Sequence, residues 1–266
     1  MVANNKSQLI VTGSTGFIGK NLVKLIHNLN YSFIPIYRDT DFKKLKIEKS
    51  IDTKLIHLAT FYSKEDQDRE KIYDSNIVFG KKVLEIIKNF KINNFIYTNT
   101  MFSYQNENNH FYYTKTKNEF SELIRKEVNK ECVISEIFLD NTFGADDDRN
   151  KVINSIIKNV KSNQTSPVTN KEAFLNLTYI EDVCKCLINE LNSSKSEITR
   201  ITSRKDYKLE SIFNFLKYYL KHGESEEGIL ESKDSRYAAM TNVPKINNQY
   251  VETNFIKNLI KSSKLN

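Results

Sequence analysis

Residues 8–30 read QLIVTGSTGFIGKNLVKLIHNLN, and the fold follows from how that stretch divides. Leu9, Ile10 and Val11 form a short apolar run, the pattern of a buried strand. Gly13, Gly16 and Gly19 then recur at intervals of three. From Gly16 onward Phe17, Ile18, Leu22, Val23, Leu25 and Ile26 keep helical spacing. A strand, a glycine turn and a helix in that order suit a diphosphate. Glycine lets the backbone come close to the phosphates, and the helix N-terminus offers N–H groups with partial positive charge. Gly13, Thr15, Gly16, Phe17, Ile18 and Gly19 are therefore candidate dinucleotide-binding residues.

The next strand is YSFIPIY, residues 31–37. In NAD-binding folds an acidic residue usually ends this strand and holds the ribose hydroxyls. Here Tyr37 stands at the end and Arg38 follows. Arginine suits a 2′-phosphate, so Arg38 joins the cofactor candidates, with NADP(H) preferred and NAD(H) the alternative. Asp39 to Thr53 is too short for a full strand–helix–strand crossover, so one unit of the usual sheet is expected to be trimmed. KLIHLAT (54–60) is another buried strand. Leu58, Ala59 and Thr60 at its end are candidates to line the dinucleotide crevice, and His57 is expected to be a hydrogen-bonded core side chain.

KIYDSNIVFGKKVLEIIKNF (71–90) reads as one helix with Ile72, Asn76, Phe79 and Val83 near one face. The strand NFIYTNT (94–100) ends in threonines, and a polar, loop-like MFSYQNENNH follows. YYTKTKNEFSELIRKEVNK (112–130) reads as a helix. It places Tyr113 and Lys117 one turn apart on one face, whereas Tyr112 has Thr116 there. A phenol titrates near 10, and a neighbouring ammonium would lower that towards neutrality. Thr98 and Thr116 read as ordinary strand and helix residues.

The last third continues with CVISEIFLDNTFGADDD, a strand and a loop, then FLNLTYIEDV, a strand entering a helix with Asp182 as its cap. ESIFNFLKYYLKHG is an amphipathic helix stopped by Gly223. Residues 224–249 suggest a loop-rich lobe over a substrate, and NFIKNLIKSSKLN a final short helix.

Hydrophobic residues at 39% and charged residues at 27% place the chain among globular proteins. No apolar run is long enough to span a bilayer, and the polar opening MVANNKS has no signal-peptide core, so a cytoplasmic protein without a membrane partner is expected. The formal charge of +7 comes from lysines spread along the chain, a pattern of solvated surface rather than nucleic-acid binding, and one that suits anionic small substrates. Cys132 falls in a predicted strand, and Cys184 and Cys186 on opposite sides of a helix. All three read as reduced structural thiols, and the four scattered histidines form no metal motif.

In order, TGSTGFIG, IHLAT, SNIVFGKKVLE, FIYTNT, YTKTKNE, NTFG and TYIEDV resemble the extended short-chain dehydrogenase/reductase family of nucleotide-sugar epimerases, dehydratases and ketoreductases. The resemblance runs from about residue 9 to 190. Within it, IHLATFY, TNT and NTFGADDDRNK look most like nucleotide-sugar 4-ketoreductases of the CDP-abequose and CDP-paratose synthase type. It implies an α/β fold, a Rossmann-type doubly wound parallel sheet with a small C-terminal substrate lobe. Residues 1–150 would form the dinucleotide-binding core, and residues 151–266 would return to that core and build the lobe.

The same resemblance assigns roles. Tyr113 would give the proton to a keto oxygen, and Lys117 would acidify Tyr113 and hold the nicotinamide ribose. Thr100 would hydrogen-bond the substrate oxygen, Asn76 would support the cofactor, and Asn141 would hold the substrate diphosphate. Two family arginines are replaced, by Phe138 and Leu175, and Gly144–Ala145 stands where the family commonly has Gly-Pro. Arg149, Lys151 or Lys171 could supply the missing charge or could be solvated surface. The expected activity is NADPH-dependent reduction of a 4-keto deoxysugar on a nucleotide, with homodimers formed through the helices near 72–90 and 113–130. An epimerase or dehydratase with bound NAD is the alternative, opposed by Met101 and Phe102 after Thr100, where a dehydratase typically has Asp-Glu. A dinucleotide-sensing regulator is a third reading, and such proteins usually lose the Tyr or Lys kept here.

Overall fold

The computed structural model of the chain describes residues 7–27, 29, 31–48, 51–105, 109–236, 246–251 and 254–264. The expected polar N-terminal stub and residues 237–245 of the expected lobe lie outside the described residues. The elements are β1 (Ser7–Thr12), α1 (Phe17–Ile26), β2 (Tyr31–Ile36), β3 (Thr53–His57), α2 (Arg69–Tyr73), α3 (Phe79–Asn89), β4 (Asn94–Thr100), α4 (Tyr112–Glu127), β5 (Val133–Leu139), β6 (Asn141–Phe143), α5 (Val152–Lys161), β7 (Phe174–Tyr179), α6 (Ile180–Glu190), β8 (Glu197–Ser203), β9 (Lys205–Lys208), α7 (Leu209–His222), β10 (Ser232–Asp234), β11 (Asn247–Val251) and α8 (Phe255–Ser263).

Apolar runs rather than alternating strands call for a sheet covered on both faces, and parallel sheets are built that way. The larger sheet has the order β11-β8-β5-β4-β3-β1-β2. β1 pairs in parallel with both β2 and β3, and the parallel ladder continues through β4 to β5. The chain leaves β1 for β2 and then crosses back to β3. The strand order therefore reverses at β1, which creates a crevice beyond the strands' C-terminal ends. Among the described residues between Ile36 and Thr53 the only helical segment is a 3-10 turn at Phe42–Lys44. The trimmed unit is thus real, and β2 is the sheet's edge.

Ile10, Leu55, Phe95, Tyr97, Val83 and Phe120 are buried in one cluster under the helices. Each such side chain contributes about 1.5–3 kcal/mol by leaving water. On α4 the buried positions Tyr113, Lys117, Phe120 and Ile124 follow helical spacing, so a lysine occupies the inward stripe. A Cβ on Gly80 of α3 would come within 2.5 Å of the Phe120 ring, so glycine allows that packing.

Three expectations need correction. The helix over 71–90 is interrupted. A π-helical turn at Asp74–Val78 separates α2 from α3, and its wider turn brings Ser75, Asn76 and Ile77 inward together. Cys132 precedes β5 by one residue instead of lying in it, and burial pushes its thiol up to about 12. Asp182 stands two residues inside the helix entry rather than at it: α6 begins at Ile180, so Asp182 lies in the first turn, where a carboxylate meets the helix's positive end. Gly223 does end α7, with φ +72°.

The chain divides into two compact units: residues 1–139 with 184–200, and residues 140–183 with 201–266. The first unit takes in the chain up to Leu139, and the chain returns to it over 184–200. The second unit holds the smaller sheet, β10-β9-β7-β6. Inside it the buried Asn176 on β7 donates to Asp206 on β9 at 2.9 Å, and Asp206 pairs with Arg236. Among the described residues no helix is long and apolar enough to cross a membrane.

Candidate active site

Each of the three glycines after β1 has its own constraint. Gly13 has φ +72°, and a Cβ there would lie 2.6 Å from the Ala59 nitrogen. At Gly19 a Cβ would lie 2.1 Å from the Gly13 carbonyl oxygen. These two glycines let the turn pack against the end of β3 and against its own helix. Gly16 differs: a Cβ there would meet only the Gly13 oxygen, at an ordinary 3.4 Å. Protein packing does not demand glycine at that position, whereas close approach of a ligand backbone would. Gly16 also stands at the N-cap of α1, with no side-chain cap and no acid in the first turn to neutralise the helix dipole. These features fit a dinucleotide diphosphate. Thr15 and Gly16 are exposed, Ile18 is half-buried, and Phe17 is buried.

The end of β3 is tied to β1. The Thr12 hydroxyl lies 2.7 Å from His57 Nδ1 and accepts the Ala59 N–H at 3.3 Å. His57 is the core side chain expected, stacked on Tyr97 and packed near Phe120. Burial, and then the Lys117 charge, lower its pKa to about 3, so it is neutral. Leu58 is buried, Ala59 half-buried and Thr60 exposed, which leaves a small-residue rim at the strand end. From the π turn, Asn76 Oδ1 accepts from the Thr60 hydroxyl at 2.7 Å and from the Phe61 N–H at 3.3 Å. Its Nδ2 donates to the Thr116 hydroxyl at 3.0 Å, which in turn donates to the Tyr113 carbonyl at 2.9 Å. Asn76 thus links the rim to α4, and Thr116 has a role that sequence reasoning missed. Arg38 is exposed just beyond β2, and its guanidinium donates to the Ser75 hydroxyl at 3.0 Å.

Tyr113 is buried beneath aromatic rings. Tyr62 meets it edge-on at 5.0 Å and Phe102 at 6.5 Å between centroids. Lys117 is 3% exposed, its Nζ donates to the Thr98 carbonyl at 2.5 Å, and it sits 4.3 Å from the Tyr97 ring centre. Burial lowers the lysine to about 7, against an upward pull from Glu136. Thr98, read as an ordinary strand residue, therefore supplies the carbonyl that anchors the lysine. Thr100 ends β4, where its hydroxyl oxygen accepts the Phe102 N–H at 3.2 Å and keeps its own hydrogen to donate. Tyr113 and Lys117 lie one turn apart on the buried side of α4, and the Lys117 amine reaches the Thr98 carbonyl of β4, the strand that ends at Thr100; all three residues belong to one unit.

In the second unit, Asn141 Nδ2 donates to Asp140 at 2.7 Å. Arg149 is held by Asp147 at 2.7 and 2.8 Å and by the Thr142 carbonyl at 2.9 Å. Lys171 is exposed and lies 3.7 Å from Glu210, and Lys151 stands at the N-cap of α5. In the first unit Phe138 is buried beside Tyr104, at 5.2 Å between ring centres. Leu175 on β7 is half-buried.

The profile of the NAD dependent epimerase/dehydratase family matches residues 9–201. The chain belongs to that family. As a member it is an NAD(P)-dependent enzyme, with the Rossmann-type sheet described above. It is 26% identical to a CDP-abequose synthase of Salmonella typhimurium, over 71% of this chain and 72% of that one. In fold it is similar to a UDP-N-acetylglucosamine 4-epimerase from Methanobrevibacter ruminantium M1, solved with UDP-N-acetylmuramic acid (TM-score 0.75, 17% identity, 98% of each chain). It is likewise similar to a UDP-glucuronic acid 4-epimerase from Bacillus cereus, solved with NAD (TM-score 0.74, 18% identity, 97% of this chain and 96% of that one).

Proposed function

We propose that this nucleotide-sugar-modifying enzyme reduces the 4-keto group of a CDP-activated deoxysugar with NADPH, in the cytoplasm, on a route to cell-surface polysaccharide. The observation that carries the reading is Lys117, a buried amine clamped to the Thr98 carbonyl one helical turn from Tyr113. An amine held there by a carbonyl rather than in a direct ion pair suits chemistry more than packing. The similarity to CDP-abequose synthase supports the substrate class. Arg38 after β2, where an acid would hold an NAD ribose, supports NADP.

Gly13, Thr15, Gly16, Phe17, Ile18 and Gly19 would hold the cofactor diphosphate, Arg38 its 2′-phosphate, and Leu58, Ala59, Thr60 and Asn76 its inner edge. When bound, the reduced nicotinamide supplies hydride to a ketone carbon. Thr100 donates a hydrogen bond to the ketone oxygen and fixes its direction. Tyr113 gives that oxygen its proton. The Lys117 ammonium stabilises the phenolate left behind and so makes the transfer feasible near neutral pH. Tyr62 and Phe102 exclude water around the phenol. Asn141 would face the substrate diphosphate, whereas Arg149, already paired with Asp147, is a poor donor for it.

Purified protein mixed with CDP-4-keto-3,6-dideoxyglucose should oxidise NADPH faster than NADH, and Arg38→Ala should remove that preference. Tyr113→Phe should lower kcat by about 10²–10⁴-fold. Wild-type turnover in Tyr113→Phe would sink the mechanism. NAD retained through purification, with no turnover of 4-ketosugars, would point to an epimerase. We also propose a homodimer, supported by Tyr73 and Val78 at 36% and 41% exposure beside the π turn. Sedimentation of wild type against Val78→Glu tests it, and a wild-type monomer would refute it.

A further inference from the structure

Glu136 stands mid-strand in β5 and is 6% exposed, where an unheld carboxylate would cost several kcal/mol. Three groups hold it. Asn99 Nδ2 donates to Oε1 at 2.7 Å, the Ser121 hydroxyl donates to the same oxygen, and Arg125 donates to Oε2 at 2.9 Å. Two of them lead back to the reacting groups. Asn99 Nδ2 also donates to Ser121 Oγ at 2.9 Å, and Asn99 Oδ1 accepts the Thr100 N–H at 2.7 Å. Ser121 lies one turn beyond Lys117, and its hydroxyl is 3.3 Å from the Lys117 carbonyl. That carbonyl also accepts the Tyr97 hydroxyl at 3.1 Å. One buried carboxylate thereby ties the end of β4 to the turn of α4 that carries the lysine.

We propose that Glu136 is a positioning residue for the reaction: through Asn99 and Ser121 it fixes the seat of Thr100 and the Lys117 turn of α4 relative to each other. The assignment rests on the reading of Tyr113, Lys117 and Thr100 given above. Its charge has a second effect. The ionisable groups around Lys117 are His57 on β3, Tyr97 on β4, Tyr113 on α4 and Glu136 on β5, with Arg125 on α4 beside the carboxylate. Glu136 is the anion among them, and it pulls Lys117 back towards its charged form while burial drives it the other way.

The test is Glu136→Gln in the full chain, with two readouts. In protein labelled at the lysine ε-carbon and free of cofactor and substrate, the Lys117 resonance should titrate with a lower midpoint than in wild type. In turnover, kcat should fall by about 10–100-fold, the scale of a small misplacement at the reacting atoms. KM for both substrates should stay within about threefold. The alkaline limb of the pH profile should move to lower pH, and Glu136→Asp should restore part of the rate. An unmoved lysine midpoint together with wild-type kcat and pH profile overturns the proposal. A shifted midpoint in a protein whose wild type reduces no 4-ketosugar upholds the tie to Lys117 and rejects the substrate reading instead. Should Glu136→Gln fail to fold, Ser121→Ala removes only a hydroxyl: a lowered kcat at unchanged cofactor KM supports the proposal, and a wild-type kcat defeats it.

Discussion

Lys117 sets a functional need against stability. Its amine titrates near 7 in the folded chain but near 10.4 when unfolded. Between those values the unfolded state binds more protons, so this residue makes stability rise with pH across that window and fall as pH drops through 7. Lys117→Met should remove turnover yet raise stability at pH 7 by about 1–3 kcal/mol, less what the orphaned Thr98 carbonyl costs. The gain should vanish by about pH 10, as urea melts at a series of pH values would show. His57 gives the acid-side counterpart, with a pKa near 3 folded and 6.5 unfolded. Wild type should lose stability as pH falls from about 6.5 to 3, with this residue contributing up to about 1.4 kcal/mol per pH unit. His57→Gln should flatten that slope, and acid melts with an unchanged slope would refute the assignment.

At the scale of elements, the glycine turn shows which constraints are internal. Gly19→Ala forces a Cβ onto the Gly13 carbonyl, a backbone atom with little room to yield. The variant should lose about 1–3 kcal/mol and much of its cofactor affinity. Gly16→Ala should stay as stable as wild type while losing affinity, and thermal melts with and without NADPH would separate the two. The strand–turn–helix of residues 8–30 was legible because its apolar period changes where the glycines stand. Tyr113 and Lys117 were legible because four residues make one helical turn. The π turn was not, since Ile72, Asn76, Phe79 and Val83 fit an unbroken helix almost as well, and only tertiary packing reveals the wider turn. Thr98 contributes a backbone carbonyl, which residue identity cannot announce. Glu136 did leave a signal: one carboxylate in the apolar run VISEIFL, in a sheet covered on both faces, must find buried partners. Which partners it found, Asn99 and Ser121, depends on strand register and helix packing.

For the whole molecule, the shortened connection between β2 and β3 has an outcome beyond cofactor binding. A further strand would ordinarily shield this flank of the sheet, but among the described residues β2 ends it, and no described strand pairs with the outer side of its backbone. Exposed ladders of that kind recruit other chains into continuous sheets. Pro35, set opposite Val11 within β2, lacks an amide hydrogen, and Lys43, Lys44 and Lys46 follow closely with like charge. Pro35→Val should leave the secondary structure intact yet increase light scattering on storage, most at high salt, where lysine repulsion is screened. The solubility of this enzyme would then depend on an imino acid to which the proposed chemistry gives no part.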